Sequence, residues 1–361
     1  MGIRGRAVVA GGFALACATL YRPADLRTAL DQRAPADGKQ MLDAALGTKE
    51  SGRDVGRLLL DRGALRMALA DFSGCADDFG RADRLLDLQA MGRSRYLTSG
   101  HNPKATVYMY ERGWSQALNV PYGAKFYERL LINPLGALCR MELRDSVGAC
   151  TEARRFGVMS DWTERVAPGR AAPVRAFGEL VSALACAQVD PGLSCGSLRR
   201  ARSLASTLAV SEQALCGSVN ETSARLTVIA AYGRPSRPLS VPEKPDVTLT
   251  SGPEAQAARI VLSVDGNSLE APEVLDVDAA VRADYDEGMH GWRVHFMGQT
   301  VDVGGWSKEA WEVLPAHVHL RVLELPPGSH QVRVTLRGEE RSRSVQLAPG
   351  EARTSVFFAP W

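Results

Sequence analysis

The chain has 361 residues, 45% of them hydrophobic and 23% charged, with a formal net charge of +2. That length allows two domains with separate cores, and the composition is that of an ordinary globular protein. Arg4 and Arg6 account for the net charge, no Lys/Arg stripe carries interleaved aromatics, and no apolar stretch reaches the roughly 18 to 20 residues of a membrane-spanning helix, so nucleic-acid binding and a membrane bundle are both excluded as expectations.

Residues 1–6 hold two arginines and no acid, residues 7–16 are small or apolar, and Cys17 directly follows Ala14, Leu15 and Ala16. This is the layout of a secretory signal. A cysteine placed straight after the small residues resembles the lipobox of bacterial lipoproteins, in which the thiol is diacylated and becomes the new N-terminus. Ala14 stands where that motif usually has Leu. The expectation is a signal peptide over 1–16 and a lipid on Cys17, with the missing acid at Ala18 implying outer-membrane sorting. Gly11-Gly12 argues against the alternative, a first helix with a core cysteine.

The next elements read as helical pairs. "LLLDRGALRMALADFSGCADDFGRADRLL", residues 58–86, has the spacing of a tetratricopeptide unit. Gly63 allows a second helix to approach, and Cys75, Phe79, Ala82 and Leu86 share one face of that helix. "NPLGALCRMELRDSVGACTEARRF", residues 133–156, gives a second pair, with Asn133-Pro134 as the predicted start, "LRDS" as the turn, and Ala149 and Ala153 as a small-residue face. "RAFGELVSALACAQ" and "GSLRRARSLAST" form a third pair. "SEQALCGSVNETSARLTVIAAYG" reads as one more long helix, ended by Gly233. Three hairpins are enough to bury a continuous solenoid core, expected over 17–235.

Residues 234–253 hold five prolines, which predicts a linker over 236–252. Beyond it, "ARIVLSVDG", "GWRVHFMG", "HVHLRVLEL", "HQVRVTLRG", "RSVQLAPG" and "RTSVFFAP" alternate with period two between Gly and Pro residues, and "LPPGSH" is a tight turn. They predict an antiparallel β-domain over 253–361. The expected fold class is α+β and multidomain: an N-terminal tetratricopeptide-like α-solenoid followed by a small antiparallel β-domain.

Six cysteines follow Cys17, at 75, 139, 150, 186, 195 and 216. An even number permits disulfides in an oxidising compartment. Cys186 and Cys195 flank the turn-rich "AQVDPGLS" and are the pair expected to bond. The others sit at apolar helix positions, where a thiol serves as a small hydrophobe. No C-x-x-C spacing supports zinc or dithiol chemistry.

"NVPYGAKFYERLLINPLGALCRMELRDSVGACTEARR", residues 119–155, resembles a group of bacterial envelope lipoproteins with a tetratricopeptide-like helical domain and a β-rich tail. Pro121, Tyr122, Tyr127, Glu128, Arg129, Ala149, Glu152, Ala153 and Arg154 stand at matching places, and Arg144 replaces the Gly common in that turn. "LPPGSHQVRV" in the tail resembles PEGA-type β-modules. The resemblance implies an envelope lipoprotein that holds partners, and it implies no catalytic residues. Tyr108, Tyr110, Trp114, Tyr122, Phe126 and Tyr127 crowd one window. Aromatics anchor interfaces and also fill helical cores. Tyr122, Tyr127, Glu128 and Arg129 are the candidate partner-facing residues.

Candidate chemistry is sparse. "GLSCG", residues 192–196, matches the G-x-S-x-G nucleophile elbow, but that mechanism needs a strand before Ser194. The segment ahead of it ends a helix, so a loop is expected. His317 and His319 share a strand face, and His330 could join them on a metal, but without a local carboxylate cluster they read as surface histidines. "DVDAAVRADYDEG", residues 276–288, lacks the D-x-D-x-D-G calcium spacing and reads as a solvated loop. No G-x-G-x-x-G, P-loop or H-E-x-x-H is present. The expectation is a non-enzymatic scaffold or assembly factor with no cofactor or metal, lipid-anchored at the periplasmic face of the outer membrane. Its partner would be an envelope protein or peptide, with no nucleic acid. The rival expectations are a β-domain that binds or regulates cell-wall enzymes or glycan, and a serine hydrolase using Ser194.

Overall fold

Helices that pack closely need small residues where their axes meet, and the first half of the chain is organised around such places. The computed structural model describes residues 22–48, 55–97, 124–166, 168–206, 208, 210, 212–216, 222–240, 247–289, 292–296, 299–303 and 310–361. Two short helices, α1 (Pro23–Asp31) and α2 (Pro35–Gly47), precede three antiparallel pairs. These are α3 (Val55–Ala68) with α4 (Phe72–Leu97), α5 (Phe126–Glu142) with α6 (Ser146–Val166), and α7 (Ala172–Cys186) with α8 (Pro191–Leu204); α9 (Glu212–Cys216) follows. Pro23, Pro35 and Pro191 open their helices, where a fixed φ helps and no amide hydrogen is missed.

In the first pair a Cβ on Gly63 would sit 3.3 Å from the Phe79 ring, and Cys75, Phe79, Ala82 and Leu86 are all buried as the spacing predicted. A closer approach joins α6 to α7: a Cβ on Gly178 would come within 2.2 Å of the buried Phe156 ring. Gly178→Ala should therefore overpack this crossing and lower stability by about 1–3 kcal/mol in denaturant unfolding. An unchanged midpoint would show that the helices separate freely.

Among the described residues, the second half holds two stacked four-stranded sheets and two two-stranded ladders. Its strands are β1 (Ala224–Tyr232), β2 (Arg237–Ser240), β3 (Val247–Thr250), β4 (Val261–Val264), β5 (Asn267–Leu269), β6 (Glu273–Asp276), β7 (Trp292–Phe296), β8 (Gln299–Val303), β9 (His317–Leu325), β10 (Gly328–Leu336), β11 (Glu339–Leu347) and β12 (Ala352–Ala359). The first sheet has the order β12-β1-β9-β6, and the second β11-β10-β4-β5; the ladders are β2–β3 and β7–β8. Pairing is antiparallel except between β1 and β12, which run parallel. Alternation along β1 serves two cores. Leu226, Val228, Ala230 and Tyr232 pack against Val264, Val332, Val334 and Leu347 of the second sheet. Ile229 and Ala231 share the helical core with Phe79, Leu131 and Phe177. The result is three layers (helices, central sheet, outer sheet), in which each fully buried aliphatic side chain contributes roughly 1.5–3 kcal/mol by leaving water.

Several sequence expectations change here. Residues 224–232, read as part of a long helix, are the central strand, buried along its whole length. Gly233 ends that strand at φ 72°, where a Cβ would strike the Glu254 carbonyl at 2.2 Å. Buried side chains from the helices and the strands, among them Phe79, Leu131, Ile229 and Phe358, lie in one cluster. Within the expected 236–252 linker, β2 and β3 pair as an antiparallel ladder, and a two-stranded ladder has free edges where proline is tolerated. Asn133-Pro134 lies inside α5, with Asn133 Nδ2 donating to Glu152 at 3.2 Å. Residues 277–289 are a helix, α10 (Val277–Met289), capped by Asp276 Oδ1 accepting from the Ala279 amide at 2.8 Å.

The expected Cys186–Cys195 disulfide is also replaced. The bridges are Cys75–Cys139, Cys150–Cys186 and Cys195–Cys216. Each joins two helices that follow one another among the described residues: α4 to α5, α6 to α7, and α8 to α9. Cys186 turns inward toward α6. On α8, Ser194 faces α7, and the helical rotation of one residue turns Cys195 away toward α9.

Candidate functional site

The predicted partner-facing residues begin α5, where the helices meet the central sheet. Lys125 is extended, and its amide donates to Glu128 Oε2 at 2.7 Å, closing the first turn. Glu128 Oε1 accepts from the Trp311 amide at 2.8 Å. From α3, Asp61 Oδ1 accepts from the amides of Glu312 and Val313 at 2.8 and 3.0 Å. Both carboxyl groups are completely buried. Two acids from two helices thus grip consecutive amides of the segment that leads into β9. Trp311, Val313 and Leu314 are buried in the shared core, and the Trp311 and Phe79 ring centroids are 5.6 Å apart. Burial pushes the Asp61 carboxyl well above the usual carboxylate range, against the opposing pull of Arg57 and the two amides.

For two of the four candidate partner-facing residues, Tyr127 and Glu128, these contacts replace the partner-facing reading with a place in the core. Tyr127 and Glu128 point into the protein, and Arg129 pairs with Asp83 at 2.7 Å, tying α5 to α4. Tyr122 and the aromatics between 108 and 122 lie outside the described residues, as does Cys17. The sequence reading missed Asp61 and the 311–313 segment. Its only trace was an acid within the apolar run "LLLDRGAL".

Two clefts lie where helices meet strands, and the smaller of them adjoins this junction. The smaller, about 20 Å³, has room for a single water and is lined by Tyr127, Arg234, Ser236, Arg237, Trp311 and Glu312. Arg27 pairs with Glu312 at 2.9 Å, and Arg234 pairs with Asp31. The larger, about 100 Å³, lies between the α5–α6 turn and the β1–β12 edge, with Arg144, Gln188, Arg225, Glu351 and Arg353 on its walls. That is well below the roughly 300–1,000 Å³ of small-molecule sites.

Ser194 sits in the first turn of α8, after a helix and a turn, where the sequence reading expected a loop. Its Oγ donates to the Ala183 carbonyl at 2.6 Å, and the residue is 1% exposed. The hydroxyl therefore faces the protein, while an elbow serine must face substrate. A serine-reactive fluorophosphonate should leave the folded protein unlabelled, and stoichiometric labelling lost in Ser194→Ala would reinstate the hydrolase.

The histidines are not the free surface groups expected. His330 Nδ1 lies 2.7 Å from Asp265 Oδ2, and Nε2 lies 2.8 Å from the Pro326 carbonyl. His319 Nδ1 lies 2.9 Å from the Ala271 carbonyl. His317 is buried, with Nδ1 2.7 Å from Glu273 Oε1 and Nε2 3.0 Å from the Ala255 carbonyl. Both the His317 and His319 rings stack against Tyr232 on the neighbouring strand, at 5.2 and 5.8 Å. Burial opposes the imidazolium of His317, but its bonds to Glu273 and the Ala255 carbonyl raise its pKa above the ordinary value; for His319 burial prevails and the pKa is lowered. Among the described residues, His317, Glu273 and Asp276 are the group whose ligand atoms lie close enough together to hold a cation.

Comparison with protein-family models, with curated proteins and with solved structures finds no match to this chain.

Proposed function

We propose that the protein is a lipid-anchored scaffold of a bacterial envelope that holds a partner protein and catalyses no reaction. The observation that carries this reading is the cysteine pairing. All six cysteines after Cys17 close bridges, each between two different helices. Such bonds persist in oxidising compartments and are rare in the cytosol. The seventh cysteine, Cys17, then has the lipobox position and takes the lipid. One acyl-bearing residue with more than one chain holds a protein at a membrane where a single chain would not.

The helical pairs with small-residue faces support a tetratricopeptide-like layer, and such layers present helix faces to partners. The partner face is assigned to the outer side of α6, because Tyr127 and Glu128 are turned inward. Val147 and Val158 are 67% and 71% exposed there, and Leu143 in the preceding turn is 45% exposed. Arg154 lies between the two valines along that helix. Photo-crosslinking residues placed at 147 and 158 in the full chain, in its native cells, should capture an envelope protein, with capture lost in Val147→Asp/Val158→Asp. Absence of any crosslink at both positions, in protein shown to be folded and exported, would overturn the assignment.

A further inference from the structure

Glu273 and Asp276 lie three residues apart on β6, so a regular strand would send them to opposite faces. A register shift between Glu273 and Leu275 breaks that alternation, as bulges do where a side chain is re-aimed. Both carboxylates consequently approach one ring nitrogen on β9. His317 Nδ1 is 2.7 Å from Glu273 Oε1 and 3.9 Å from Asp276 Oδ1, and the three donor atoms lie within 4.8 Å of one another.

The rest of the site fixes the tautomer. The Ala255 carbonyl, 3.0 Å from Nε2, can only accept, so Nε2 carries hydrogen. Neutral His317 therefore presents the Nδ1 lone pair to a carboxylate oxygen. Two lone pairs repel at 2.7 Å, so a cation belongs between them, either a proton or a metal ion. A ring N–H held by a backbone carbonyl is also how metal-bound histidines are oriented. Stacking on Tyr232 and burial hold the ring still, while the exposed Glu273 is free to adjust. Asp276 is fixed because its Oδ1 caps α10.

We propose that His317 Nδ1, Glu273 and Asp276 form a site for a divalent transition metal of the zinc class. One imidazole with two carboxylates suits zinc, and the nitrogen donor disfavours calcium and magnesium, which prefer all-oxygen sites. Ligand bonds of about 2.0–2.2 Å require a small outward movement of Glu273 from its present hydrogen bond, and water completes the tetrahedron. The ion would clamp β6 to β9 and, through Asp276, the start of α10 to the central sheet.

The test uses the full chain, stripped with chelator and titrated with Zn²⁺ by calorimetry, with Co²⁺ absorption as a readout of ligand geometry. One ion should bind per chain, with tetrahedral cobalt bands. Glu273→Gln and Asp276→Asn should each weaken binding by about tenfold or more. Both changes lie at accessible carboxylates, and circular dichroism confirms that each variant is folded. ¹⁵N NMR should show His317 Nδ1 shifting on metal addition. No saturable binding, or binding unchanged in both variants, would overturn the site. So would a His317 that stays doubly protonated in excess zinc, because the cation is then a proton.

Discussion

Replacing Asp61 by alanine should lower stability by roughly 2–5 kcal/mol, one of the two largest effects expected in this molecule. Its Oδ1 accepts from two successive amides, those of the part-buried Glu312 and the buried Val313, where helices meet the sheet. Each buried donor left without a partner costs about 1–3 kcal/mol. Asp61→Asn keeps an acceptor oxygen at the same place and should cost much less. The comparison also reads the charge. Because burial raises the folded-state pKa of Asp61, the stability it contributes is fully present below the unfolded carboxyl value of about 3.9 and is lost as pH rises through the folded value. Urea unfolding across that window should show a declining component in the wild type that is absent from Asp61→Asn. Equal stability of Asp61→Ala and wild type would show that the 311–313 segment is held without the Asp61 carboxyl.

The second large effect is reduction of the disulfides. The three bridges close loops with sequence separations of 64, 36 and 21 residues. By the chain-entropy relation each contributes about 3–4 kcal/mol, with only a weak advantage for the longest. Together they approach the roughly 5–15 kcal/mol that stabilises a whole domain. Thermal unfolding under reductant should therefore fall by on the order of 20 °C or lose its cooperative transition. Peptide mapping without reduction should recover Cys75–Cys139, Cys150–Cys186 and Cys195–Cys216. A reduced protein that melts where the oxidised one does would contradict the stapled architecture.

How much of this could be read in advance depended on where the burial signal was periodic. Cys75, Phe79, Ala82 and Leu86 showed the α4 face because a helix exposed on one side repeats its small and apolar residues every three to four positions. The strand "HVHLRVLEL" was found at its observed bounds for the matching reason with period two. β1 was misread because "ARLTVIAAY" is buried on both faces, and the apolar run after Thr227 carries neither period. The disulfide error came from treating nearness in sequence as nearness in space: Cys186 and Cys195 face different neighbours on an antiparallel pair. Glu273 lies 44 residues from His317, so only the β6–β9 ladder and its bulge bring them together. Glu128 was marked by its motif, but the motif could not tell an outward anchor from an inward clamp on Trp311.

The intact mass of the protein purified without reductant from its native membrane fraction tests the proposed export and anchoring most directly. The expected species starts at Cys17, carries acyl chains, and lacks two hydrogens for each of the three disulfides. An unmodified chain beginning at Met1 with all thiols free would place the protein in a reducing compartment and contradict the scaffold reading at its base.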